Sequence, residues 1–189
     1  MNIPRPKLYP VPPMMHGMSD VDQIAYDWEH PPIFELAEDW IIDLDLGVEL
    51  VFLRGFRTDF ATVPRALWPI ICPDGPLCIP SIPHDMRYQY GYFLTKFVAG
   101  EVYSDAALAI WATFPYQLQH YIPCFLDGGQ EFSDKLLKEM TIAISGATVQ
   151  AEAAYLAVKE FGSSTWNTYR TEGPAAFNSH SLGLQGVTA

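Results

Sequence analysis

From Ile33 to Leu53, apolar residues come in short runs set off by acidic ones, a spacing that suits strands better than helices. Ile33-Phe34-Glu35-Leu36 reads as one strand. Trp40-Ile41-Ile42-Asp43-Leu44 and Val48-Glu49-Leu50-Val51-Phe52-Leu53 read as two more. Asp45-Leu46-Gly47 between them suits a hairpin turn, with Gly47 supplying a positive φ. The alternation is incomplete, so both faces of the sheet are expected to be partly covered. Residues 54–83 then form a long, mostly irregular connection. A short helix is expected from Thr62-Val63-Pro64 through Trp68, because proline fits a first helical turn.

After Pro83 the pattern turns helical. One helix is expected from His84 to about Phe93, and a second from Ser104 to about Phe114 with Ser104 as its N-cap. A shorter third spans Pro115 to about Phe125. A long helix from about Ser133 to Phe161, bent near Gly146, carries Leu136, Leu137, Met140, Ala143, Ala147, Ala151, Ala154, Tyr155 and Val158 at 3/4 spacing. Gly162 stands where a helix-ending glycine is expected. Strands first and helices after predict an α+β domain over residues 33–162: a small antiparallel sheet from the N-terminal half, packed by helices from the C-terminal half.

The flanks differ in composition. Residues 1–32 form a Pro-rich N-terminal arm, extended by Pro4, Pro6, Pro10, Pro12, Pro13, Pro31 and Pro32, with room for one short helix over Ser19–Trp28. It is expected to lie on its own domain or on a neighbour. Residues 163–189, rich in Ser, Thr, Gly and Asn, read as a flexible C-terminal tail.

Charge removes several function classes. With 189 residues, 49% hydrophobic, 17% charged and a formal net charge of −11, the chain has enough apolar residues for a core and no basic stripe. Direct nucleic-acid binding through phosphate neutralisation is not expected. Neither is docking on an anionic membrane, and no run of about 18 apolar residues spans one. Met1-Asn2-Ile3-Pro4-Arg5-Pro6 lacks the apolar stretch of a signal peptide. Cys72, Cys78 and Cys124, odd in number and without CxxC spacing, read as small, partly buried hydrophobes.

Against this background the ionisable residues between Gly55 and Asp105 stand out. Asp59 lies in a turn-like segment, His84-Asp85 opens the first helix, and Asp105 opens the second. Burying such groups costs several kcal/mol, roughly, unless they are paired or coordinated. Asp59, His84, Asp85 and Asp105 make a hard-ligand set suited to Zn²⁺, Mn²⁺, Mg²⁺ or Fe²⁺ with open water positions. His84 and Asp85 are the candidate catalytic pair, and Arg87 is a candidate partner for Asp105. Each residue also has a structural reading. Asp59 can cap its own turn, Asp85 can complement a helix N-terminus, and His84 can be a hydrogen-bonded core residue. His120 and Cys124, four apart, could share a helix face. Tyr88, Tyr90, Tyr92 and Phe93 could form a stacking platform, but an acidic chain favours core or subunit contacts for them. There is no GxSxG elbow, Gly-rich phosphate loop or HExxH.

Two resemblances follow. The His-Asp pair is similar to that of metal-dependent phosphohydrolases with an H…HD…D pattern, but the only earlier histidines, His16 and His30, lie in the Pro-rich arm. More of the chain resembles a bacteriophage and prophage family known as domain of unknown function 1353. The resemblance rests on Gly55-Phe56-Arg57-Thr58-Asp59-Phe60-Ala61-Thr62-Val63-Pro64, Trp68, His84-Asp85 and the closing Tyr155-Leu156-Ala157-Val158-Lys159-Glu160-Phe161-Gly162. Ser104-Asp105 stands where that family usually has Ala-Asp. The resemblance covers roughly residues 33–162, implies phage origin and brings no established activity.

With that ancestry, the first expectation is a structural virion component (tail, connector or head-associated). It would dock through its terminal arms on other virion proteins or on copies of itself, in the virion or the infected bacterial cytoplasm. The alternative is a metal-dependent hydrolase using the Asp/His-Asp site.

Overall fold

A computed structural model describes residues 1–11, 19, 32–45, 47–59 and 75–171. Apart from Ser19, the expected helices at Ser19–Trp28 and from Thr62 through Trp68 therefore lie outside the described residues, as does Leu46 of the hairpin turn.

The fold is α+β, with two small antiparallel sheets and helices packed on them. The first sheet has the order β1-β2-β5, from Leu8–Val11, Ile33–Leu36 and Arg57–Thr58. The second has the order β3-β4-β6-β7, from Trp40–Asp43, Glu49–Phe52, Phe93–Lys96 and Tyr121–Cys124. The β3–β4 pair is the expected hairpin, with Trp40 opposite Phe52 and Asp43 opposite Glu49. Gly47 at its turn has φ 78°. The described part of the N-terminal arm is built into these sheets. Leu8 pairs with Leu36, Asn2 exchanges two backbone hydrogen bonds with Asp43, and the Trp40 indole donates to the Pro4 carbonyl at 2.7 Å.

Four α-helices are present among the described residues: α1 (Cys78–Tyr90), α2 (Asp105–Trp111), α3 (Gly129–Ser145) and α4 (Thr148–Thr171). Helix α1 starts earlier than expected and holds Pro83 inside it. An interior proline removes one backbone hydrogen bond, at a cost of about 3 kcal/mol. Burial of Ile82, Met86 and Tyr90 in the core opposes that cost. Helix α2 has the expected cap, with Ser104 Oγ accepting from the Ala107 amide at 3.2 Å. Past α2 the helical expectation fails. Tyr116–Leu118 is a single 3₁₀ turn, and the chain then extends as β7. Pro123 is tolerated there because β7 is an edge strand. His120 and Cys124 therefore do not share a helix face. The expected bend at Gly146 is a full break between α3 and α4, at a residue with φ 70°.

The main core joins both sheets to α1 and α3 through Leu36, Trp40, Phe52, Phe56, Met86, Phe93, Leu136 and Met140. Tyr90, Tyr92 and Phe93 are buried in it, so these aromatics are core rather than a stacking platform. A smaller cluster of Leu77, Leu137 and Ala154 ties α1, α3 and α4 together. No helix among the described residues is long and apolar enough to cross a membrane.

Candidate functional site

Helix α1 buries two different stripes. Ile82, Met86 and Tyr90, four apart, face the main core. Ser81, His84, Asp85 and Tyr88 follow i, i+3, i+4, i+7 spacing and make a polar stripe on another face. Ser81, His84 and Tyr88 are buried there, and the Asp85 side chain is only 12% exposed. Buried polar groups of this kind require partners, which come from two other parts of the chain.

The first partner is Asp134 of α3, 2% exposed. Its Oδ1 accepts from the Tyr88 hydroxyl at 2.8 Å and lies 3.3 Å from His84 Nε2. Its Oδ2 accepts from Gln130 Nε2 at 3.3 Å. With Tyr88 and Gln130 both donating to it, Asp134 presents Oδ1 as an acceptor that a proton on His84 Nε2 would match. The second partner comes from β5, where the Thr58 hydroxyl donates to Asp85 Oδ2 at 2.5 Å.

The other side of the imidazole is looser. Asp85 Oδ1 stands 3.5 Å from His84 Nδ1, within ion-pair range but too far for a well-formed hydrogen bond. Nδ1 is buried and has no hydrogen-bond partner among the described residues. Burial pulls the His84 pKa down, but its contacts with Asp134 and Asp85 outweigh it, and the pKa lies above the ordinary 6.5. Burial also pushes the Asp85 carboxyl above its ordinary 3.8. The Asp59 charge adds to that, against the pull of His84 and Thr58. Burial and Asp134 raise the Tyr88 phenol.

Helix α4 closes the site. The chain does not leave the helix at Gly162 but continues to Thr171. Gly162 is needed for a different reason: a Cβ there would collide with the Tyr88 hydroxyl and crowd Gln130. The missing side chain lets the α4 backbone lie against the buried network. Beyond it, Trp166 packs edge-on against Tyr88 at 5.2 Å between ring centroids. The Arg170 guanidinium donates to the Tyr88 carbonyl and so caps the C-terminus of α1. Residues first expected to belong to a flexible tail thus form part of the wall.

Between α1 and α4 lies a cavity of about 190 Å³. Asp59, His84, Asp85, Tyr88 and Gln89 line one side, and Ala154, Ala157, Val158, Phe161 and Gly162 line the other. The structure therefore brings together Asp59, His84 and Asp85 from the expected ligand set. Asp105 is not among them: it is exposed at the start of α2 and does not line the cavity. Arg87 does not pair with it either. It is buried, donates to the Leu126 carbonyl and lies over the Phe93 ring. Among the described residues, no group of three or more His, Cys, Asp and Glu side chains is arranged to hold a metal ion.

Asp134 is the residue that sequence reasoning missed. Its signal was present: an aspartate four residues after Gln130 and flanked by Phe132, Leu136 and Leu137, on a helix whose neighbouring positions are core.

The family model for "Protein of unknown function (DUF1353)" matches residues 34–158, well over half of the chain. The chain belongs to this family. No curated protein and no solved structure matches it. The matched region contains Thr58, Asp59, His84, Asp85, Tyr88 and Asp134, and ends just before the Gly162 contact.

Proposed function

We propose that this chain is a hydrolase that works by acid–base chemistry at His84 and Asp85. One observation carries the reading: a buried imidazole, fixed on its Nε2 side by Asp134, turns an unsatisfied Nδ1 toward a second carboxylate at the wall of a cavity. At 3.5 Å the two groups are too far apart for a direct hydrogen bond, but facing lone pairs favour a proton on one of them, and the pKa of each is raised. The His84–Asp85 pair therefore favours holding one proton, as imidazolium and carboxylate or as imidazole and carboxylic acid. In either form it can take a proton from a water molecule in the cavity and return it to a leaving group. Thr58 holds the far oxygen of Asp85, and Asp134 holds the ring, so the proton moves between positioned groups. Asp59, on the same cavity wall, favours the protonated form of Asp85 by its charge.

The expected virion role has less support. It depends on arms that dock elsewhere, and the described part of the N-terminal arm is engaged with the chain's own sheets. The expected divalent metal also lacks its fourth ligand at this cavity.

The test is turnover of a panel of p-nitrophenyl esters, peptidyl p-nitroanilides and purified cell-wall fragments. His84→Gln and Asp85→Asn should reduce turnover about 10²–10⁴-fold with the helical circular-dichroism signal retained. Wild-type turnover in folded His84→Gln protein rules the reading out. So does a wild-type protein that is inactive on the whole panel and no less stable when His84 is replaced.

A further inference from the structure

We infer that Gln89 selects the substrate of the cavity, and that this substrate is a short neutral peptide held through its amide groups. The inference rests on the cavity being the working site, as proposed above, and adds the class of substrate and the residue that recognises it.

Position supplies the first argument. Gln89 follows Asp85 by four residues on α1, so the two side chains share a helix face, and both line the cavity. Four residues of helix advance about 6 Å along the axis. Peptide groups of an extended chain recur every ~3.3–3.6 Å. With one amide at the His84–Asp85 pair, an amide one or two residues further along the same chain therefore reaches Gln89.

The second argument is availability. Gln89 is half-buried, and no hydrogen bond, ion pair or ring contact engages its side chain among the described residues. The polar side chains beside it on α1 are committed, Tyr88 to Asp134 and Asp85 to Thr58. A carboxamide carries N–H donors and a carbonyl acceptor. A peptide group offers the matching carbonyl and N–H. An ester offers the carbonyl alone and meets only half of what Gln89 presents.

The walls restrict the rest of the molecule. No Lys or Arg is among the described lining residues, so a phosphate or a free carboxylate finds no countercharge there. Across from α1, Ala154, Ala157 and Val158 present apolar surface suited to a small aliphatic side chain. The cavity, about 190 Å³, is smaller than the roughly 300–1,000 Å³ of sites for drug-sized ligands. It takes a residue or two of a peptide rather than a larger molecule.

The experiment uses the full chain, observed by ¹H–¹⁵N NMR at constant ionic strength with probes at millimolar concentration. The diamide probe is N-acetyl-alanine N′-methylamide. Two isosteres each replace one of its amides by an ester, and n-butyl phosphate is the anionic probe. The diamide should shift resonances around Asp85, Gln89 and Val158, and should bind about three- to tenfold more tightly than at least one ester isostere. Gln89→Leu keeps the apolar stem and should bring the diamide down to the level of that ester. Gln89→Glu, which keeps the shape and loses the N–H donors, should do the same and covers the case in which the leucine variant does not fold. Equal binding of the diamide and both esters would overturn the inference. So would a preference that survives both substitutions, tighter binding of n-butyl phosphate, or no shifts with any probe. These outcomes are separable from failure of the hydrolase reading. Equal binding of amide and esters with turnover still dependent on His84 removes only the role of Gln89. Diamide binding through Gln89 with turnover indifferent to His84 removes only the hydrolase.

Discussion

Two basic side chains, three residues apart on α1, are both buried but in unlike surroundings. His84 faces carboxylates on both ring nitrogens, with Asp134 at 3.3 Å and Asp85 at 3.5 Å. Arg87, 3% exposed, has a backbone carbonyl and the Phe93 ring for company. Its Nε and Nη1 find no hydrogen-bond partner among the described residues, and the nearby Arg170 is a second positive charge. Burial, and then Arg170, lowers the Arg87 pKa, whereas the His84 pKa is raised. The contrast teaches that burial alone does not mark a working site. At Arg87 the fold tolerates a charge for the sake of packing and one hydrogen bond. At His84 it supplies a matched set of acceptors from α1 and α3, with a cavity alongside.

The sharpest way to break this contrast is to remove one member of the matched set. Asp134→Ala would leave His84 Nε2, Tyr88 and Gln130 without their acceptor and should cost about 3–5 kcal/mol in urea denaturation. A loss below about 1 kcal/mol would mean that the network is ornamental.

Gly162→Ala comes next, with an expected loss of about 1–3 kcal/mol, because the new methyl group pushes against Tyr88 where it binds Asp134. A lowered urea midpoint, together with shifted Tyr88 and Asp134 resonances, checks both the energy and its location.

The pH dependence distinguishes the two basic groups directly. His84 has a folded pKa above its ordinary 6.5. Its contribution is therefore complete below about pH 6.5 and is lost as pH rises through the folded value. Asp85, also raised, tilts stability in the same direction from a lower starting pH. Wild-type stability should thus fall with rising pH above about 6.5, and His84→Gln should flatten that part of the curve. An unchanged slope in the variant would show that the imidazole is not the titrating group.

The smallest effect is expected at Arg87. Arg87→Met keeps the apolar stem, removes the unpaired N–H groups and gives up the bond to Leu126, so stability should stay within about 1 kcal/mol of wild type. If it falls as far as Asp134→Ala, the two buried cations are equivalent and the contrast is lost.

Much of the architecture was legible in local patterning. The β3–β4 hairpin follows from apolar runs on either side of Asp45-Leu46-Gly47, and α2 begins where Ser104 can cap it. Where two codes overlapped, the reading failed. Tyr121-Ile122-Pro123-Cys124 is apolar at every position, and such a run suits a helix or a strand equally until a neighbour is known. Pairing with β6, itself unforeseen, makes it a strand. Pro83 looked like the start of a helix because proline ordinarily cannot sit inside one. Core burial of Ile82 and Met86 overrides that preference.

The site divides along the same line. His84, Asp85 and Asp59 could be picked out from the chain alone, because ionisable residues among Trp, Tyr and Ile require compensation. That requirement says nothing about who provides it. Asp134 is fifty residues from His84, and Gly162 lies further still along the chain. Their roles arise only when α3 and α4 pack on α1. Asp105, as conspicuous as the others in sequence, stays exposed because α2 packs on β7 and never approaches the cavity. Residue chemistry is a local property and can be read one position at a time. Which acceptor meets which donor is set by helix packing, and that is decided by the whole core at once.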